Sequence, residues 1–276
     1  MAKRGLPSQH HTNNPRSFAA LRQKGFRAYF IGGALAMMAD NIEHVISYWV
    51  IFEKFESPAL AGFAVVSHWI PFLLFSIHAG ALADKFDPRR VIQLGMLFFI
   101  IVSLGWGYLF FSDTLEIWHA IILLLIHGFA GVLWGPAAYI LVHDIVGGQQ
   151  LQSGVRLMAT SRTLGVLLGP AIGGGLLLLV GPSWGIIINA IIYLPLVIWL
   201  WKAPYGIMYH KKQFKGQVKS NSHPPPSPAI KGFSDIFQTL KDVASNRIII
   251  SMTLLAGAVS LLVGNAYQAQ MPEFAR

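Results

Sequence analysis

Residues 91–111 read VIQLGMLFFIIVSLGWGYLFF, 21 positions without one charged side chain. At 1.5 Å rise per residue such a run covers roughly 30 Å, the hydrocarbon thickness of a bilayer. A helix crosses that depth with all of its own backbone groups paired, which an isolated strand cannot do. Working outward, six further stretches read the same way: 28–52, 59–83, 117–142, 157–180, 184–201 and 248–268. The first differs from the rest, because Asp40, Asn41, Glu43 and His44 interrupt it.

The whole composition agrees with this reading. Of 276 residues 54% are hydrophobic and only 12% charged, against about 25% in soluble domains. Mean hydropathy is +0.53. Too little charge is present to coat a water-facing globule, so the expected fold class is an all-α polytopic membrane protein. Cysteine is absent, which excludes disulfides, thiolate metal sites and a cysteine nucleophile.

Ser57-Pro58, Ser112-Asp113 and Gly181-Pro182 mark tight turns between spans. One connection is long, and its Ser220–Ser227 stretch has a linker's composition. After it, Ile230, Phe233, Ile236, Phe237, Leu240 and Val243 recur at helical spacing. That pattern suits an amphipathic helix on the membrane surface or an ordinary helical linker.

The net charge of +9 is a topology signal. Lys3, Arg4, Arg16, Arg22, Lys24 and Arg27 precede the first span, Lys85, Arg89 and Arg90 follow the second, and Arg156 precedes the fifth. The long connection adds Lys202, Lys211, Lys212, Lys215, Lys219, Lys231, Lys241 and Arg247. All fall on one side, leaving Lys54 and Arg276 on the other. The positive-inside rule then makes the N-terminus cytoplasmic, and the basic pI needs no nucleic acid to explain it. No cleavable signal is evident, since the first apolar run is too long and carries two acids.

Three segments carry a family resemblance. Gly80-Ala81-Leu82-Ala83-Asp84-Lys85-Phe86-Asp87-Pro88-Arg89-Arg90 resembles the G-x-L-A-D-[RK]-x-G-[RK]-[RK] loop of the major facilitator superfamily, between spans two and three. Asp87 stands where that family usually has Gly, and Pro88 where it has a basic residue. Gly165-Val166-Leu167-Leu168-Gly169-Pro170-Ala171-Ile172-Gly173-Gly174-Gly175 resembles the fifth-helix signature G-x(3)-G-P-x(2)-G-G of its antiporter branch. His127 to Ala137 resembles that branch's fourth helix, with His127 where an early Arg is often found. The resemblance covers nearly the whole chain from Phe26 and corresponds to the first half of a drug or siderophore exporter.

It implies a basic tail at 1–27, a six-helix bundle at 28–201, a cytoplasmic linker at 202–247 and, from 248 to 276, the first helix of a second bundle. It also implies that this chain is truncated, with a missing C-terminal half as the expected partner. Gly80, Asp84, Lys85, Arg89 and Arg90 would form the cytoplasmic gate, and Gly165, Gly169, Pro170, Gly173 and Gly174 the close-packed hinge. Physically, Gly80 allows close helix approach and Asp84 can pair with Arg or cap a helix. The glycines at 165, 169 and 173 lie on one helix face.

The scarce charges inside the bilayer are the functional candidates. A central Asp costs about 2.5–3.5 kcal/mol to insert, so Asp40 and Glu43 need water or partners. Asp40, Glu43 and His44 at i, i+3 and i+4 share a face and suit a proton-titrating or cation-binding site. The other reading is a satisfied structural network. Arg162 either pairs with an acid in the cavity or reaches the surface. His68, His78 and His127 line the path or simply pack; Trp69, Trp106, Trp134, Trp184 and Trp199 read mostly as interfacial or lipid-facing, with a cavity-lining place as the other reading for Trp134. No H-E-x-x-H, P-loop, G-x-S-x-G or dinucleotide fingerprint occurs.

The expected function is a secondary transporter in a bacterial-type inner membrane, exchanging protons for a small amphipathic substrate without a cofactor. An uptake symporter of the same fold and a lipid-modifying membrane enzyme are the alternatives.

Overall fold

The computed structural model describes residues 18–206, 241 and 244–262. These residues are helical, with no strand among them, and form an all-α polytopic membrane protein. The long helices are α1 (Lys24–Phe55), α2 (Pro58–Lys85), α3 (Pro88–Ser112), α4 (Ile117–Val146) and α5 (Leu151–Ile192). Shorter α6 (Leu194–Lys202) and α7 (Arg247–Leu262) follow. The amphipathic stretch at 230–244 falls, but for 241 and 244, outside the described residues, as do 1–17 of the tail and the end of the seventh span.

Local chemistry sets the helix limits. Ser57 caps α2 by accepting from Leu60 N–H at 3.3 Å, and Pro58 occupies the first turn, where its missing N–H costs nothing. Asp87 and Pro88 repeat the device at α3. Glu116 and His119 close a capping box at α4. Gly181 breaks α5 with φ 78° and ψ 170°, which glycine reaches without a Cβ clash and which suits the residue before Pro182. The chain thus makes two passes in α5 and α6, separated at the predicted Gly181-Pro182 turn.

Among the described residues four stretches are long and apolar enough to span a membrane: Pro58–Lys85, Pro88–Ser112, Ile117–Val146 and the broken run Gly148–Lys202. The last contains both the fifth and the sixth predicted spans. α1 has the length, at 32 residues, but its mid-helix polar group takes it below that apolar threshold. Sixteen residues of α7 are described.

α1 packs chiefly on α5, and α2 on α4, with α3 against α4 and α5. Glycines let the first two pairs close up. A Cβ on Gly165 would lie 2.7 Å from Met37 Cβ, and one on Gly173 would lie 3.2 Å from Ile42 Cα. On α4, a Cβ on Gly128 would strike Ser67 O and sit 3.3 Å from His68 Cα. Gly174 and Gly175 face open space, so the packing stripe is Gly165, Gly169 and Gly173 alone. Gly80 is likewise no close-approach site, its nearest neighbour being Pro136 Cβ at 4.0 Å.

The buried apolar side chains form two cores. One contains Tyr29, Ala39, Met96, Phe99, Ala130 and Tyr193, and the other Ile42, Val102, Trp106, Leu124 and Ile186. Trp106 is thus a core residue, only 1% exposed, and Trp134 is buried too; neither faces lipid. Trp184 is exposed.

At the ends of α1 and α3, Lys54 donates to Asp113 Oδ1 at 2.7 Å. That hydrogen bond, with the charge of Lys54, holds the Asp113 carboxyl below its ordinary range. A depressed folded value means stabilisation present above the unfolded pKa and lost as pH falls through the lowered one. Lys54→Ala is expected to return the Asp113 titration, followed by carboxyl-carbon NMR, to the ordinary aspartate range.

Candidate functional site

The polar residues of four helices meet where the two cores join. On α1, Asp40 follows Ala39 of one core and Glu43 follows Ile42 of the other. Ser103 on α3 lies just past Phe99 and Val102, His127 on α4 lies between Leu124 and Ala130, and Asn189 on α5 lies between Ile186 and Tyr193. Each helix therefore changes core at its polar residues, and the five residues arrive at one level of the bundle.

His127 sits between the two carboxylates. Its Nδ1 lies 2.7 Å from Glu43 Oε1, and its Nε2 lies 2.9 Å from Asp40 Oδ1. The Glu43 contact is an aligned hydrogen bond; the Asp40 contact has ion-pair distance without that alignment. Ser103 donates to the second Glu43 oxygen, and Asn189 Nδ2 donates to Ser103 Oγ at 3.3 Å. Glu43 is 1% exposed and His127 3%, so these polar groups have left water and depend on one another for partners.

Two more imidazoles complete the cluster. The His44 ring centre lies 4.7 Å from that of His127 and 5.2 Å from that of His68. Neither His44 nitrogen, nor His68 Nδ1, has a hydrogen-bond partner among the described residues. His78 lies elsewhere on α2, against Phe75.

A cavity of about 300 Å³ opens beside the cluster. Asp40 and His68 reach it, its apolar wall includes Met37, Phe72, Phe99 and Trp134, and Arg162 lines it from α5. Arg162 makes no ion pair among the described residues. The five candidates Asp40, Glu43, His44, His127 and Arg162 thus border one region. Ser103 and Asn189 were missed, because a lone Ser or Asn in an apolar span carries no sequence signal until its partner is known.

The loop after α2 differs from expectation. Asp84 is exposed and unpaired among the described residues, and Asp87, the departure from the family pattern, does the capping and pairing. Its carboxylate takes Arg89 in a bidentate grip, with Nη2 at 2.7 Å and Nε at 3.0 Å. Arg89 also donates to Ala203 O, so α3 is fastened to the chain leaving α6. Lys85 lies over the Phe86 ring, while Arg90 bonds Gln93 and lies over Trp201. Asp87→Ala removes a cap and strands a buried guanidinium, so a destabilisation of about 3–5 kcal/mol is expected in denaturant unfolding.

Residues 15–213 match the model of a major facilitator family described as transmembrane secretion effector. The chain belongs to that family. It is a transporter family, not an enzyme family, and its members are embedded in the bilayer. This chain is 28% identical over 134 residues to MdtD of Salmonella typhi, a protein named for multidrug resistance. The match covers 49% of this chain and 27% of MdtD. It is 29% identical over 126 residues to HsrA of Haemophilus influenzae, named as a transport protein, covering 46% of this chain and 26% of HsrA. The aligned segment is therefore under a third of the length of these relatives.

Proposed function

We propose that this chain belongs to a proton-driven exporter of a small amphipathic molecule, working by alternating access. The observation that carries the reading is His127 held between Asp40 and Glu43, in the wall of a largely apolar cavity. Intramembrane charges are expensive, and in transporters they mark ion and substrate paths. A cation or proton that takes His127's place at one carboxylate changes the pairing between α1 and α4, and so couples occupancy to helix position. The apolar wall suits an amphipathic guest, and the resemblance to a multidrug-named relative supports the same class.

In this reading residues 28–201 are one bundle of a two-bundle transporter in a bacterial inner membrane, with a cytoplasmic N-terminus. The linker at 202–247 leads to a second bundle beginning at 248, and the substrate lies between the two. Gly80, Asp84, Lys85, Arg89 and Arg90 act at the cytoplasmic gate, with Asp87 fixing the loop. Gly165, Gly169, Pro170 and Gly173 hold α5 on α1 as the halves rock.

The test uses the transporter in proteoliposomes with ethidium as an amphipathic probe. An imposed pH gradient is expected to drive ethidium movement, and a protonophore to stop it. Movement that a protonophore leaves unchanged would refute proton coupling.

A further inference from the structure

We propose that His44, His68 and His127, completed by the carboxylate of Asp40, form a binding site for a divalent transition-metal ion of zinc-like chemistry. The site goes beyond the transport reading and does not depend on the coupling ion or the direction of transport.

The geometry carries it. The three histidines come from α1, α2 and α4, and one nitrogen from each lies within 4.8 Å of the others. A tetrahedral zinc site with bonds of about 2.0–2.1 Å needs ligand atoms about 3.4 Å apart, so side-chain rotations of about an ångström close the set. His44 supplies the second observation. It is 3% exposed, its ring faces the other two imidazoles, and both its nitrogens are without hydrogen-bond partners among the described residues. Leaving a buried polar atom unpaired costs stability, a penalty that ligation removes. His68 Nδ1 is orphaned in the same way.

His127 is already oriented as a ligand. Its Nδ1 is committed to Glu43, which Ser103 and Asn189 hold in turn. That is the carboxylate–histidine arrangement that leaves the other nitrogen for a metal. Nε2 is the nitrogen left over, and Asp40 Oδ1, 2.9 Å from it, is the oxygen at hand for the fourth position. Three imidazoles and one carboxylate suit Zn²⁺, Co²⁺ or Ni²⁺; the scarcity of oxygen ligands disfavours Mg²⁺ and Ca²⁺, and the lack of thiolates disfavours Cu⁺. Asp40 and His68 also line the cavity, which gives the ion a way in.

The test is Co²⁺ titration of the purified full chain in detergent, with His10→Ala and His11→Ala introduced to remove tail binding. One equivalent with the intense visible bands of a tetrahedral site is expected. His44→Gln and His68→Gln are each expected to raise the Kd at least about 100-fold, and Glu43→Gln, a positioning change, about 10–100-fold. His78→Ala is expected to leave it unchanged. X-ray absorption of the Zn²⁺ form decides the matter without the cluster variants, which covers the case where they fail to fold. Three imidazole shells at about 2.0–2.1 Å support the site. An absence of stoichiometric binding, an octahedral Co²⁺ spectrum, a shell with fewer than three imidazoles, or binding that follows His78 would overturn it. None of those results bears on ethidium transport, so the two readings fail separately.

Discussion

Glu43→Gln is expected to abolish pH-driven transport, and Asp40→Asn to reduce it at least about tenfold. Both substitutions keep shape and replace an acid by a neutral amide, so they test the carboxyl group and not the packing. Glu43 should be the more severe of the two. It is nearly sealed from solvent, and three contacts converge on its two oxygens or on the serine that holds them. Its loss leaves His127 with Asp40 as its one carboxylate partner and the Ser103 hydroxyl facing an amide. Asp40 instead reaches the cavity, so its loss should also change how the probe binds. A rise in KM for ethidium is therefore expected with Asp40→Asn, whereas Glu43→Gln should act mainly on kcat. Removing one partner of a buried pair can cost about 3–5 kcal/mol, so each variant is first shown to elute as a monodisperse species. Transport at the parental rate in both folded variants would remove these carboxylates from the mechanism.

The carboxylates of α1 were legible because a charge inside an apolar run stands out against its neighbours. The helix period then places Asp40, Glu43 and His44 on one face, where the structure has them sharing a cluster. The other half of the cluster was only partly legible. His127 and His68 were visible as polar residues in apolar spans, but no spacing within a single helix can say that α2 and α4 deliver them to the same depth. Their meeting depends on Gly128, which brings α4 against the α2 backbone beside His68. Ser103 and Asn189 gave no signal, since each is small or common enough in a span to need no explanation.

The loop after α2 shows a readable sign that a family pattern obscured. Pro at the first position of a helix favours a capping residue just before it, which points to Asp87. The motif instead drew attention to Asp84, three residues upstream and in the last turn of α2, where it is exposed. The spans themselves were legible because bilayer thickness fixes their length. α1 is long enough yet departs from the pattern, its hydropathy lowered by the residues that make it a functional candidate.

The fifth-helix stripe provides the second large effect. Gly169→Ala is expected to destabilise the protein by about 1–3 kcal/mol, and Gly169→Leu to prevent recovery of a monodisperse species. A methyl at 169 would press on Asn41 Cβ and lie 3.0 Å from Met38 O. The second of those atoms is backbone, so no side-chain rotation relieves it. Relief requires α1 to move off α5. Because α1 carries Asp40 and Glu43 and their partner His127 is on α4, that movement would pull the carboxylates from the imidazole and cost transport as well as stability. Gly175→Ala provides the contrast on the same helix. Nothing lies within 4 Å of a Cβ there, so only helix propensity acts, and it favours alanine over glycine by up to about 1 kcal/mol. Thermal unfolding followed by size-exclusion recovery should therefore place Gly175→Ala at or above the parent and Gly169→Ala below it. Equal stabilities would mean that the glycines at 165, 169 and 173 are not what sets the distance between α1 and α5.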